Sequence, residues 1–566
     1  MAKQAAPTSV EVKYDLFDLP TAQHKAGLAG LLLQIEHMTA EGRTPKPKAA
    51  PRIIEVTRTS ATIEFTEESV RCLFDDVYAA SREIVKVKSK WATATEAKPS
   101  EEVEEEIEEK TADGTVKTKK VKVKYFFYEQ VQATGGVLRQ HVKNATELWL
   151  KLWRDMLWAI PRGNPQSRKP FEERADGNPC GEGAAAWIDL LKHHKALAKN
   201  EFHTGEVAGS LWLGAQAVNA ESVPFEGRAD QTLLLHFWSL TVQVYAPQIV
   251  QPDGENEFVG YVLAIPEVAD LKDFVAQYPR MLAQFGKDQR GYRPAEAVID
   301  LPAEGALSFL EHLAEVSGEI AQGKELASSL GSVEFLHIAK FGNNTKTLAA
   351  GRVAPRPGLL ARYLAIVGRV SEKPNYSNPL FRRGLMIALL DNQPWYQPFG
   401  KLFAEWDVSF FVPTDAPPKL SWFWADARKK LQEVIQAMPT DPKPTDPPPD
   451  GDDLLMMLIH RIVRTYLTKR AEQKSGVELD KFKDGDKVAW EKLPDDFHKA
   501  RRAAGESLFL EFRSRRDQAF VEHFAQTFFA TKQYISEDHY SEIGRALLNR
   551  TDAVKTLTLM ALSANS

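Results

Sequence analysis

The sequence predicts an α+β protein built as a mixed α/β N-terminal body with a protruding β-hairpin, followed by an all-α helical bundle. Residues 438–450 read Met-Pro-Thr-Asp-Pro-Lys-Pro-Thr-Asp-Pro-Pro-Pro-Asp. Proline lacks a backbone N–H and fixes φ, so this run favours an extended spacer. Helical and strand-like patterns mix before it, whereas helical spacing dominates after it. We therefore predict a body at 1–437, a Pro-rich linker at 438–451 and a bundle at 452–566.

Composition is that of an ordinary soluble globular protein of two to four domains, with 566 residues and a formal net charge of -5. That charge does not indicate a general nucleic-acid binder, so any such surface must be local. The two cysteines exclude a disulfide scaffold. No apolar signal core or membrane-spanning run is present. The expected location is cytoplasmic.

The body is expected to begin with a helix capped by Thr21, whose apolar face includes Leu28, Leu31 and Ile35. Apolar spacing then predicts the remaining elements. Strands are predicted at 53–65, 231–245, 257–265 and 332–339. Helices are predicted in the body at 67–81, 137–160, 187–199, 271–285 and 306–327, with a loop at 161–183 and mixed helix up to about 437. Helices of the bundle are predicted at 454–470, 495–516, 518–529 and 536–562.

Residues 86–128 predict a charged β-ribbon. A glutamate run at 101–109 and a lysine-rich run at 117–124 flank Ala-Asp-Gly-Thr at 112–115, which is a hairpin turn signal. Opposite charges would then face each other across the two strands. The competing interpretation is a disordered, solvated insertion.

Catalytic motifs are absent from the sequence. It contains no phosphate-binding loop, nucleophile elbow or His-Glu-x-x-His zinc motif. His193, His194 and His203 form the main histidine group, and a polar helix surface explains them better than a metal site. We therefore expect no enzyme activity, no catalytic residues, no metal and no cofactor. An enzyme with a dispersed active site remains a weak alternative.

Three segments carry side chains suited to nucleic acid: a loop at 162–169, a strand end and loop at 340–356, and the arginines of the bundle. Arg and Lys neutralise phosphates, and Asn and Gln hydrogen-bond base edges. An ordinary connector, a turn and a solvated helix face are the respective alternatives, at about equal weight. The candidate DNA-binding residues are Asn343, Asn344, Lys346, Arg162, Asn164, Gln166, Arg168, Lys169, Asn219 and Arg352, and the candidate backbone-binding residues of the bundle are Arg461, Arg464, Arg501, Arg502 and Arg513. For Asn219, a buried structural role is an equal alternative.

Three parts of the sequence carry a family resemblance: Tyr14–Leu31 (Tyr-Asp-Leu-Phe-Asp-Leu-Pro-Thr-Ala-Gln-His-Lys-Ala-Gly-Leu-Ala-Gly-Leu), Trp212–Phe225 (Trp-Leu-Gly-Ala-Gln-Ala-Val-Asn-Ala-Glu-Ser-Val-Pro-Phe) and the helical C-terminal part. In these parts the chain resembles the large subunit of type I-B CRISPR surveillance complexes (Cascade), in particular the variant first named from myxobacteria. It covers most of the chain at the level of the family.

The resemblance implies a subunit that recognises the protospacer-adjacent motif on double-stranded DNA, stabilises the R-loop and recruits a helicase–nuclease. The implied partners are crRNA, target DNA and the backbone, handle-binding and small subunits of Cascade, with no membrane. The bundle resembles the small subunit, which Met438 or Met456 and Met457 could start as a separate product. The competing hypothesis is a structural or regulatory assembly protein without direct nucleic-acid contact.

Overall fold

A computed structural model gives the fold, with two compact units described separately below. The first comprises Met1–Pro247 and Phe258–Leu360, and the second comprises Gln248–Glu257 and Ala361–Ser566. The structure describes residues 8–43, 46–88, 90–91, 94–110, 116–137, 151–157, 160, 167–209, 211–213, 224–251, 254–284, 289–290, 293–294, 297–318, 328–342, 344–368, 375–413, 423–437, 451–484, 487–529 and 537–565.

The predicted α+β class is confirmed. The helices are α1 (Ala22–Thr39), α2 (Glu67–Val77), α3 (Lys169–Ala175), α4 (Gly181–Leu197), α5 (Ala229–Leu234), α6 (Leu271–Gln284), α7 (Glu304–Ser317), α8 (Leu359–Val367), α9 (Pro379–Asp391), α10 (Gln397–Glu405), α11 (Phe423–Ala437), α12 (Gly451–Ser475), α13 (Asp495–Ser514), α14 (Asp517–Phe528), α15 (Glu537–Asn549) and α16 (Thr551–Asn565). No helix in these described ranges combines the length and the apolar character needed to cross a membrane.

The strands form several small sheets. They are β1 (Ser9–Asp15), β2 (Arg52–Val56), β3 (Ser60–Thr66), β4 (Ala80–Val87), β5 (Glu96–Lys110), β6 (Val116–Ala133), β7 (Thr204–Glu206), β8 (Glu226–Arg228), β9 (Gln243–Val250), β10 (Asn256–Phe258), β11 (Tyr261–Val268), β12 (Gln289–Arg290), β13 (Arg293–Pro294), β14 (Val298–Ile299), β15 (Leu330–Phe341), β16 (Asn344–Val353), β17 (Lys483–Asp484) and β18 (Lys487–Val488). The largest sheet runs β10-β9-β11-β15-β16, with β14 beside β9.

Helix α1 is the centre of the first unit. The Thr21 cap is confirmed, because its hydroxyl accepts a hydrogen bond from the His24 amide at 3.5 Å. A Cβ atom at Gly27 would lie 2.3 Å from the Leu234 carbonyl oxygen, and one at Gly30 would lie 2.2 Å from that of Phe237. The two glycines of the opening motif therefore let the helix approach a neighbouring backbone more closely than a side chain would allow.

The predicted β-ribbon is confirmed as a hairpin of β5 and β6, which pair antiparallel from Glu96 to Lys110. Strand β4 joins the other edge of β6, but only between Phe126 and Ala133. The predicted turn at 112–115 lies outside the described residues. The ribbon therefore has a three-stranded base and a two-stranded outer part.

Two local predictions were wrong. Residues 229–234 are helical and 238–240 form a 3-10 turn, so the strand expected from 231 begins only at Gln243. The run of apolar residues that suggested a strand from 231 is equally typical of a buried helix. The loop expected at 161–183 contains α3, which starts with Pro170 in its first turn. The tight loop predicted after the strand at 332–339 is found as the turn of a β15–β16 hairpin, and both strands of this hairpin extend into residues 340–347.

The second unit is built around α16, which is buried along most of its length. Rings of Phe399, Phe403, Phe411 and Phe423 pack against one another, and Phe509 of α13 lies 5.5 Å from Phe403. Helices from before and after residues 438–450 thus share one aromatic core, whereas we predicted a boundary there. The Pro-rich run itself lies outside the described residues, so its role as a linker stays a prediction.

Candidate nucleic-acid interface

Three arginines and a histidine come together in the helical unit. Arg428 lies on α11, His460 and Arg464 lie one turn apart on α12, and Arg501 lies on α13. Arg428 and Arg464 are exposed to solvent, whereas His460 and Arg501 are half-buried. We call these four residues the arginine cluster. It is open to an external ligand and is lined by side chains from three helices.

The arginine cluster is held in place by neutral groups. Arg428 donates from Nε to the carbonyl oxygen of Ala564 at 2.8 Å, and Arg501 donates from Nη2 to Oδ1 of Asn565 at 3.4 Å. The guanidinium carbons of Arg464 and Arg501 lie 5.5 and 4.8 Å from the ring centre of Trp490, which is a cation–π arrangement. These partners orient the arginines without cancelling their charge.

The electrostatics of the arginine cluster show an excess of positive charge. Burial, and then the charges of Arg428 and Arg464, lower the pKa of Arg501 to about 10. Burial and the same kind of repulsion lower the pKa of His460 to about 4, so this imidazole is neutral at pH 7. No acidic side chain in the described part of the chain forms an ion pair with the three arginines. The arrangement therefore favours binding of an anion.

Arg501 supplies a second indication that the arginine cluster suits an anion. Its Nε atom is buried and has no hydrogen-bond partner among the described atoms. A buried donor without a partner is costly, and guanidinium groups bind phosphate through paired hydrogen bonds. A phosphate group from a nucleic-acid backbone would satisfy both the donor and the uncompensated charge.

The other predicted arginines of the bundle lie outside this cluster. Arg461 and Arg502 are exposed, and each follows a cluster residue in the sequence. Arg513 donates from Nη2 to the carbonyl oxygen of Ala404 at 3.1 Å, which gives it a structural contact. Of the five arginines predicted to bind a nucleic-acid backbone, the structure therefore places only Arg464 and Arg501 in the arginine cluster.

The β15–β16 hairpin carries a second candidate surface. Gly342, in its turn, has φ +59, a value that favours glycine. Phe341 is 47% exposed, and Nζ of Lys346 lies 5.6 Å from its ring centre. Asn343 and the side chain of Asn344 lie outside the described part. The hairpin end thus presents an aromatic ring beneath an exposed ammonium group, which suits contact with a base or a phosphate.

Arg352 has an internal partner. It lies directly opposite Glu334 in the β15–β16 register. Burial and the neighbouring Glu267 raise the pKa of Glu334, and Arg352 with Lys25 opposes that rise. Arg352 therefore compensates two carboxylates of its own sheet, which weakens its candidacy as a DNA contact.

Arg168 is 3% exposed, although the sequence suggested a DNA contact. It donates from Nε to the carbonyl oxygen of Asp155 at 3.1 Å and from Nη2 to that of Leu152 at 2.7 Å. Its charge, after burial, also helps to lower the pKa of buried His236 to about 3. This position argues against contact with DNA.

The remaining predicted residues are exposed or not described. Lys169 is exposed and pairs with Glu173 at 3.5 Å across one helical turn. Arg162, Asn164, Gln166 and Asn219 lie outside the described residues. Among the side chains that are described, no group of three or more potential metal ligands occurs.

Sequence reasoning missed Arg428 and did not foresee that Arg464 and Arg501 converge. These residues lie on three separate helices, so only tertiary packing brings them together. The one local signal is the spacing of His460 and Arg464, which places both on one helix face. Nothing in the sequence around Arg428 distinguishes it from its neighbours Lys429 and Lys430.

Comparison with known protein families supplies the identity. Residues 50–322 match the family model described as Type I-B CRISPR Cas8b N-terminal domain. Residues 330–565 match the model described as Type I-B CRISPR Cas8b C-terminal domain. A search of curated proteins found no match. Since the two matches together cover most of the chain, this protein belongs to the Cas8b family of type I-B CRISPR large subunits.

Proposed function

We propose that this chain is the DNA-recognising large subunit of an RNA-guided type I-B effector complex, and that it acts by binding and breaks no covalent bond. In this role it recognises the protospacer-adjacent motif on duplex DNA, stabilises the R-loop and recruits the helicase–nuclease. Guide RNA would read the target by base pairing, while the protein reads the short motif and the backbone.

The arginine cluster is the observation that carries this proposal. Its three guanidinium groups repel one another, and the described residues offer them no carboxylate. Such an arrangement is unfavourable in the free protein and becomes favourable when an anion binds. A DNA or RNA strand supplies phosphates at regular intervals, so R-loop formation would provide that anion.

The β15–β16 hairpin is the proposed contact with the motif-bearing duplex. A hairpin end is narrow enough to approach a groove, and Lys346 can neutralise one phosphate. Phe341 offers a ring face for stacking or for an apolar contact with a base. The hairpin and the arginine cluster would then perform different tasks, with motif recognition at the first and strand retention at the second.

The test compares assembled complexes that carry Arg464→Gln and Arg501→Gln with complexes that carry Lys474→Gln and Lys499→Gln. The two lysines are exposed on the same two helices, α12 and α13, so the control removes equal charge. Affinity for target DNA is measured at several salt concentrations. We expect the arginine variant to lose about tenfold in affinity and to lower the salt slope by about 0.9 for each lost phosphate.

The competing function is that of an assembly protein without nucleic-acid contact. It predicts wild-type affinity and an unchanged salt slope for both pairs of variants. Equal losses of DNA affinity for both pairs of variants would also contradict the proposal. They would indicate that binding depends on the overall positive charge of the two helices and not on a defined phosphate site.

A further inference from the structure

The segment between α12 and α13 forms a small core of its own. We call residues 476–494 the connector. Its apolar side chains pack around Ala471 of α12 and Phe497 of α13, which are both fully buried. The connector contributes Leu479 and Leu493 to this core, and Val477, Phe482, Val488 and Trp490 pack against it. A segment with many buried apolar contacts keeps one conformation better than a loop without them.

The connector fixes the position of Trp490. Two short strands, β17 and β18, pair immediately before it. The Ala489 amide then donates a hydrogen bond to the carbonyl oxygen of Phe482 at 2.9 Å. A 3-10 turn begins at Trp490, whose ring centre lies 6.3 Å from that of Phe497. Because Trp490 is half-buried, backbone bonds and packing hold the indole while part of it stays accessible.

The indole ring of Trp490 contacts two arginines that come from two different helices. The guanidinium carbon of Arg464 on α12 lies 5.5 Å from the ring centre, and that of Arg501 on α13 lies 4.8 Å from it. Both distances are within the range at which an aromatic face attracts a positive charge. The ring therefore keeps near each other two cations that repel each other.

This contact leaves the charge and the hydrogen-bond donors of the arginines to a ligand. A guanidinium packs on an aromatic ring through its planar face, whereas its N–H donors lie along its edge. Arg464 is exposed, and the buried Nε of Arg501 has no hydrogen-bond partner among the described atoms. A carboxylate in the place of the indole would also orient the two arginines, but it would cancel part of their charge.

We propose that Trp490 is a positioning residue for an anion site, and that its ring orders Arg464 and Arg501 before a phosphate arrives. Two long side chains that are already ordered lose less entropy when the ligand binds. The ligand class is a phosphate diester or a pyrophosphate, whose oxygens accept paired hydrogen bonds from guanidinium groups. The identity of the natural ligand as a nucleic-acid strand rests on the function proposed above, whereas the positioning can be measured with pyrophosphate alone.

The test replaces the ring and measures pyrophosphate binding to the free full-length chain by isothermal titration calorimetry at low salt. Trp490→Leu removes the aromatic face and should weaken binding about tenfold. Trp490→Phe keeps an aromatic face and should bind within about threefold of wild type. If Trp490→Leu does not fold, Trp490→Met supplies the same comparison, because its longer, flexible side chain fills more of the space.

The control is Trp395→Leu, which removes another half-buried indole from the same unit. The described cation contact of Trp395 is with Lys430, whose Nζ lies 6.0 Å from its ring centre. This control should bind pyrophosphate like wild type. Arg464→Gln with Arg501→Gln should abolish the binding, which locates the pyrophosphate at the arginine cluster.

The pKa of His460 gives a second readout, which a general loss of packing in this unit would not move. This pKa is about 4 because of burial first and then the charges of Arg464, Arg501 and Arg428. Without the indole, the arginines can separate, so the pKa of His460 should rise in Trp490→Leu and return toward its wild-type value in Trp490→Phe. An unchanged pKa in Trp490→Leu would overturn the proposal, since the arginines would then keep their places without the ring.

The remaining outcomes distinguish this inference from the proposed function. Unchanged pyrophosphate binding by Trp490→Leu would overturn the inference and leave the proposed function standing. If DNA binding by the assembled complex weakened in that variant all the same, a base would contact the ring directly. Weakened pyrophosphate binding by Trp490→Leu, together with wild-type DNA affinity of Arg464→Gln with Arg501→Gln, would support the inference and contradict the proposed function.

Two further results would overturn the inference. Equal losses in Trp490→Phe and Trp490→Leu would show that the aromatic face does not position the arginines. Pyrophosphate that fails to bind the wild-type chain, or that binds Arg464→Gln with Arg501→Gln equally well, would show that the arginine cluster is not an anion site.

Discussion

The β-ribbon of β5 and β6 and the arginine cluster both concentrate charge, but they arrange it in opposite ways. In the ribbon, lysines such as Lys122 and Lys124 lie opposite glutamates on the paired strand. In the arginine cluster, three guanidinium groups share a site to which the described residues contribute no carboxylate. The ribbon is the most charged segment of the sequence, whereas the cluster is dispersed over more than seventy positions from Arg428 to Arg501.

This difference shows that local charge density in a sequence does not measure the potential that a ligand meets. Cross-strand pairing places most lysines of the ribbon, such as Lys122 and Lys124, opposite glutamates, so most of their positive field cancels within a few ångströms. Packing of three helices does the reverse and brings like charges together. Binding of a polyanion should therefore depend strongly on the cluster, less on the single lysine of the β15–β16 hairpin, and hardly at all on the ribbon.

The largest effect is expected for Arg464→Glu. The substitution would lower the charge of the cluster from three positive charges to one, so the site should attract a phosphate far less and target binding by the complex should weaken by about 100-fold. The same substitution should raise the melting temperature of the free protein by about 1–3 °C, because it relieves repulsion. Titration with target DNA and a thermal scan measure the two changes.

This prediction is specific because DNA binding is expected to weaken while the melting temperature of the free protein rises. Lys499→Glu changes the charge by the same amount on α13 and should alter both quantities only slightly. A loss of stability in Arg464→Glu would mean that the arginines stabilise the fold. The weaker binding would then result from the destabilised fold and would not indicate a lost phosphate contact.

The N-terminal fold was predictable where local chemistry dominates. The Thr21 cap and the ribbon follow from spacing, caps and turn residues, which act over a few positions. The apolar run after Gln231 was misassigned, because a buried helix and a buried strand can share one composition. The shared core of α11 and the helices beyond residue 451 was also unforeseen, since it depends on aromatic contacts between distant segments.

The candidate site was less predictable than the fold. Arg464 and Arg501 were singled out for their residue type, whereas their convergence with Arg428 depends on tertiary packing. Arg168 shows the converse error. Its loop suggested exposure, but its guanidinium is buried against main-chain carbonyls. A basic residue in a sequence can either contact a ligand or hydrogen-bond to the protein's own backbone, and its burial in the structure distinguishes the two roles.

An intermediate effect is expected at the β15–β16 hairpin. Phe341→Ala with Lys346→Ala removes one ammonium group and one exposed ring, so binding of duplex that carries the correct motif should weaken about fivefold to tenfold. Leu348→Ala, a change at another exposed apolar residue on β16, is the control. The loss should be smaller on a duplex with a scrambled motif. An equal loss on both duplexes would assign the hairpin to backbone contact without motif recognition.

A smaller effect is expected in the titration of His460. Its pKa of about 4 reflects burial first and the three arginines second. Because this value lies below the ordinary 6.5, the folded state is favoured above pH 6.5 and loses stability as the pH falls toward 4. Bound phosphate or Arg464→Gln should raise the pKa of His460 by about one unit. Hydrogen exchange at the imidazole C2 position, followed by mass spectrometry, measures it. A pKa that stays unchanged when DNA binds would place the phosphate elsewhere.

The smallest effect is expected in the ribbon. Glu102 lies opposite Lys124 and Glu104 lies opposite Lys122, and all four side chains are exposed. Changing these four residues together to Gln removes two positive and two negative charges, so the net charge of the ribbon stays the same. Affinity of the assembled complex for target DNA should stay within about twofold of wild type, and the salt slope should not change. The salt slope is the sharper readout, because it counts phosphates neutralised by the protein even when affinity changes for other reasons. A slope that falls by about one unit would show that these lysines do neutralise a phosphate. Cross-strand pairing would then be insufficient to screen the lysines of the ribbon from a phosphate. The ribbon and the arginine cluster would differ only in how strongly they attract a polyanion.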